Sequence, residues 1–94
     1  MNPYELLAQR HREYAKAQDR HARAVAKQAA AQERVQALER ELADAEDADR
    51  RTLGEALVDG KKPPVRKTEQ ARANLEQAKL EAEALALCVR ARRP

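Results

Sequence analysis

One short stretch, Asp59-Gly60-Lys61-Lys62-Pro63-Pro64, is the only strong helix breaker between residue 4 and residue 93. A glycine past the end of a helix takes the positive φ that closes it, and proline cannot continue a helix because it lacks the N–H and clashes with the preceding turn. Before this stretch, the chain after Pro3 to about Val58 holds no proline and only one glycine, Gly54. The stretch after it runs free of breakers to about Arg92. The chain is therefore expected to form one domain over residues 1–94, with helix 1 about 3–58, a turn about 59–65 and helix 2 about 66–92. The predicted fold class is all-α: an antiparallel helical hairpin, a coiled coil with one long and one shorter helix, assembling into a helical bundle.

Composition agrees. The hydrophobic share is 43%, yet 21 of those residues are Ala, and Phe, Trp and Ile are absent. Ala buries little area, and burial energy scales with area, so a thick core is out of reach. Thin seams between helices are within reach. Ala, Leu, Glu, Lys, Gln and Arg dominate, and these are the strongest helix formers.

The helix ends carry their own signals. Asn2 fits the N-cap, Pro3 the first helical position and Glu5 the third, as in a capping box. Met1 and Leu6 are spaced for a hydrophobic staple across that cap. Asp59 and Gly60 read as the C-cap and the residue after it. Pro64 biases Pro63 away from helical backbone. Thr68 then reads as an N-cap with Glu69 as first-turn acid. Asp19 with Arg23, Glu46 with Arg50 and Asp47 with Arg51 are acid-first pairs four residues apart, the favourable order on a helix.

A connection of six to nine residues makes the two helices antiparallel neighbours. Helix 2 carries Ala71, Leu75, Ala78, Ala82, Leu85 and Val89 at alternating spacings of four and three. Helix 1 carries Val35, Leu38, Leu42 and Ala45 at three and four. One register, in which paired numbers add to 123 or 124, sets Val89 opposite Val35, Leu85 opposite Leu38, Ala82 opposite Leu42 and Ala78 opposite Ala45. These ten residues are the expected intramolecular seam.

In that register helix 2 covers helix 1 back to about residue 32, and residues 3–31 have no partner. Yet this arm keeps a stripe: Leu7, Tyr14 and His21 at heptad spacing, flanked by Tyr4, His11, Gln18 and Val25. Helix 2 also carries a second stripe, Ala73, Leu80, Ala84, Leu87 and Ala91. A helix apolar on two sides is normally buried on two sides. The expected partner interface is thus Tyr4, Leu7, His11, Tyr14, Gln18, His21, Val25, Leu80 and Leu87, and the partner is a second copy of the chain or another helical protein.

Net charge is +3, split as +3 over residues 1–34, −5 over 35–60 and +5 over 61–94. An acidic segment followed by a basic one suits a hairpin that lays them side by side. Lys79 and Arg72 fall near Asp44 and Asp49 in the register above, so cross-helix pairing accounts for part of the acidic cluster Asp44, Glu46, Asp47 and Asp49. The alternative use of the positive charge is nucleic-acid binding through Arg12, Lys16, Arg20, Arg23, Arg90, Arg92 and Arg93. Acids interrupt that arm, and aromatic stacking platforms are limited to Tyr4 and Tyr14.

No catalytic constellation is legible. There is no serine and no Gly-rich phosphate loop. His11 and His21, ten residues apart, point about 80° away from a common helical line, which is poor metal spacing. Cys88 is the only cysteine and reads as a small apolar filler in a helix interface. No cofactor is expected. No stretch approaches the roughly 20 apolar residues of a membrane span, so a soluble, cytoplasmic chain is expected. The Ala/Arg/Glu-rich texture is similar in composition to helical hairpins of GC-rich bacteria or their phages. These features together predict a non-enzymatic oligomerising or adaptor coiled coil that docks through its N-terminal arm, with a nucleic-acid-binding or regulatory protein as the alternative.

Overall fold

A computed structural model describes residues 2–62 and 64–91. Among them are two helices, α1 (Pro3–Asp59) and α2 (Thr68–Ala91), and no strand. The molecule measures 84 × 16 × 15 Å. The long dimension belongs to α1, since 57 residues at a rise of about 1.5 Å span about 86 Å.

The start of α1 forms as its residues dictate. Asn2 has extended backbone, and its Oδ1 accepts a hydrogen bond from the Glu5 N–H at 2.8 Å. Its carbonyl accepts the first helical bond, from Leu6 N–H at 3.1 Å. The Met1 half of the expected staple lies outside the described residues. At the other end Gly60 sits at φ 68°, ψ 23°. The Lys61 N–H bonds back to the Ala56 carbonyl at 2.8 Å, and the Gly60 N–H bonds to that of Leu57 at 3.4 Å. This is the Schellman closure, with Gly60 in the left-handed position that side chains disfavour.

The seam is thin. Leu38, Leu75 and Ala78 form one buried cluster, with Val35 and Leu42 packed against it. Ala78 is the most enclosed residue, 1% exposed, and its small side chain lets the helices approach closely. Val89 and Ala56 are also buried, while Ala45, Ala71, Ala82 and Leu85 are half-buried.

The helices meet in a different register from the expected one. Leu38 clusters with Leu75 and Ala78, not with Leu85. Asp49 bonds to Thr68, a pair whose numbers add to 117, and Leu38 with Ala78 gives 116. The shift from 123 or 124 is therefore seven, one heptad, which keeps the same stripes in contact. The connection explains it. Lys67 lies beside Asp49, ten residues back from the end of α1, about 15 Å at the helical rise. Helical backbone from residue 61 to 67 would cover about 10 Å, whereas extended backbone covers up to about 23 Å. The described residues of the connection are non-helical, and it returns along α1, so α2 starts further back. The expected bias on Pro63 lies outside the described residues.

Because α2 starts further back, it also ends further back. His21, Ala24, Gln28 and Ala31 are half-buried, so the partnerless arm is residues 3–20 and not 3–31. Helix 2 begins at Thr68, two residues later than the expected start at about residue 66, because residues 64–67 are non-helical.

The candidate partner interface

Asp49 joins the helices at the closed end. Its Oδ2 accepts hydrogen bonds from the Thr68 backbone N–H at 2.9 Å and from the Thr68 hydroxyl at 2.6 Å. Its Oδ1 accepts from the Lys67 N–H at 3.1 Å. The first helical bond of α2 runs from Ala71 N–H to the Lys67 carbonyl, so Asp49 caps α2 from the neighbouring helix. The Thr68 hydroxyl, then the Lys67 and Thr68 N–H groups, hold the Asp49 carboxyl below its usual range. Sequence reasoning placed Thr68 as the cap and Asp49 in an acidic cluster partly matched by cross-helix ion pairs. A lone Asp one heptad after Leu42 on the seam row was the available signal.

The expected cross-helix ion pairs of Arg72 and Lys79 with Asp49 and Asp44 are not among the ion pairs of the described residues. The heptad shift carries Lys79 to about residue 37, away from Asp44, whereas Arg72 stays beside Glu46 and Asp49, and hydrogen bonds from Lys67 and Thr68 occupy the Asp49 carboxylate. Arg23 pairs with Asp19 at 3.2 Å as expected. Arg50 pairs with Asp47, three residues back, instead of with Glu46.

The open end is the arm. Every residue from Asn2 to Arg20 is exposed. Tyr4 is 83% exposed, Leu7 67% and Tyr14 63%. His11 and Gln18 are exposed too, and the Gln18 side-chain amide donates to the Tyr14 hydroxyl at 2.9 Å, tying two members of the stripe together. Val25 lies at the edge of the covered region and stays largely exposed.

Leu7 and Tyr14 belong to a row that does not stop at the arm. Leu7, Tyr14, His21, Gln28, Val35, Leu42, Asp49 and Ala56 recur every seven residues. From His21 onward each is at least half-buried. The exposed stripe of the arm is thus the uncovered continuation of the seam that α2 fills. The junction falls at His21, whose Nδ1 is occluded with no hydrogen-bond partner among the described residues.

The second stripe of α2, including Leu80 and Leu87, is exposed along its length. Cys88 is exposed beside Arg23, Ala24, Lys27 and Leu85. The helical turn places it about 100° from Val89, at the edge of the seam. Arg12, Lys16, Arg20 and Arg90 are exposed, with Glu13 and Asp19 interleaved on the arm. Arg92 and Arg93 lie outside the described residues. No group of three or more acidic, His or Cys side chains is placed to hold a metal among the described residues, and none of their helices is long and apolar enough to cross a membrane.

No known protein family, curated protein or solved structure matches the chain.

Proposed function

We propose that this protein is a non-enzymatic coiled-coil module that mediates protein–protein interaction, with the arm 3–20 as its docking surface for another helix. One observation carries this role: Leu7 and Tyr14 continue, in phase, a row that is covered from His21 onward and uncovered before it. A helix accepts exposed Tyr and Leu at heptad spacing when a second helix covers them, and an uncovered helical segment of this length is marginal in water. His11 and Gln18 on the same face would set partner and register, at some expense of affinity. Oligomerisation and adaptor work in a cytoplasmic setting both suit such a surface. Nucleic-acid binding is the weaker alternative, because Arg23 is engaged by Asp19 and acids alternate with bases along the arm.

Residue-resolved amide exchange tests the role. With the chain monomeric, amides of residues 7–18 should exchange much faster than those of 31–49, and an engaged arm should slow. An arm as protected as the seam in a monomer would need no partner, and the docking role would be wrong.

A further inference from the structure

We infer that the occupant of the arm is the arm of a second copy, laid antiparallel and in line with α2; this rests on the docking role proposed above. The covered part of the row is filled by α2, whose last described residue, Ala91, faces about residue 25 in the register of Leu38 with Ala78. A second α1 laid parallel on the arm would run on past His21 and collide with α2. An antiparallel copy avoids this, because its own α2 lies beyond the far end of the contact. α2 also bounds how far the copy can advance: one heptad further would set the copy's Tyr4 opposite Gln28, where α2 already lies, so the furthest stripe-pairing register clear of the described α2 sets Tyr4 opposite His21.

That stop gives a register in which paired numbers add to 25. Tyr4 meets His21 of the copy, Leu7 meets Gln18 and His11 meets Tyr14, and each contact recurs by the two-fold axis. The register uses the whole arm and leaves none of its stripe uncovered. Flanking positions agree with it. Ala8 faces Ala15 of the copy on one side of the stripe, and Arg10 faces Ala17 on the other. Small flanks let two helices approach closely, and no like charges are opposed there. Glu5, Arg12, Glu13, Lys16, Asp19 and Arg20 remain on the outer face. The paired chains would form one rod, a hairpin at each end and the shared arms in the middle.

Light scattering behind a sizing column, followed by site-specific cross-linking, tests the arrangement. The unaltered chain should have about twice its monomer mass of 10.6 kDa at high and low salt. In a Cys88→Ser background, a mixture of Leu7→Cys and Gln18→Cys chains should oxidise to a covalent heterodimer. Leu7→Cys alone should not, since the two copies of residue 7 lie about 16 Å apart along the axis, too far for a disulfide. Efficient cross-linking of Leu7→Cys alone would mean a parallel pair and overturn the proposal. A monomer at every concentration would overturn self-pairing while leaving the arm as a dock for a foreign helix. A dimer that survives Leu7→Asp with Tyr14→Asp would place the contact elsewhere and overturn the arm-to-arm pairing, while the docking role would still be judged by amide exchange of the arm.

Discussion

The carboxylate of Asp49, in the middle of the closed half of α1, accepts two hydrogen bonds from Thr68, the first residue of α2. A third comes from Lys67, so the donors exposed at the start of α2 are satisfied by the other helix. The contact both caps α2 and holds the hairpin in register, because no other α1 side chain is seen to bond to those groups.

Replacing Asp49 by Asn should lower the thermal midpoint at neutral pH, as read by far-UV circular dichroism. The hydrogen bonds favour the charged form, so the folded carboxyl titrates below the roughly 3.9 of a free Asp. Its contribution is then complete above the unfolded value and is lost as pH falls through the folded one. The gap between the unaltered chain and Asp49→Asn should therefore close in acid. Thr68→Ala should cost about 1 kcal/mol, and Thr68→Ser, which keeps the hydroxyl, clearly less.

The two glycines should respond with opposite signs. At Gly60, φ is 68° and an added Cβ would meet no atom within 4 Å, so the penalty of Gly60→Ala is purely one of backbone, about 1 kcal/mol. Gly54 lies inside α1 with equally open surroundings, and Gly54→Ala should stabilise by about 1 kcal/mol. Denaturant unfolding of the two variants would show it.

The seam and the second stripe of α2 should separate in the same assay. Leu38 is 8% exposed, and Leu38→Ala should cost about 2 to 3 kcal/mol. Ala78 has no room, so Ala78→Leu should cost about 1 to 3 kcal/mol by forcing the helices apart. Leu80 is 61% exposed, and Leu80→Ala should leave hairpin stability within about 0.5 kcal/mol.

Register can be read directly by disulfide trapping. In a Cys88→Ser background, the pair Ala45→Cys with Ala71→Cys, whose numbers add to 116, should close readily. Ala45→Cys with Ala78→Cys, which add to 123, lie about one heptad, or 10 Å, apart along the axis and should not. Closure of the second pair and not the first would restore the register expected from sequence.

The two helices, and both ends of α1, were determined by the sequence alone. Asn2 against Glu5 and Gly60 past Asp59 are local arrangements, each decided within a few residues by caps and backbone freedom. The buried stripes were also legible, because heptad spacing names the face whatever lies against it. The same periodicity made the register illegible. Registers one heptad apart bury the same stripes, so Leu38 could face Leu85 or Ala78 with equal agreement in pattern. Only the tertiary structure decided between them, through how far the connection after Gly60 runs back along α1 before Lys67 and Thr68 reach Asp49. That one distance moved α2 a heptad back along α1, and so set which part of the row remains uncovered for a partner.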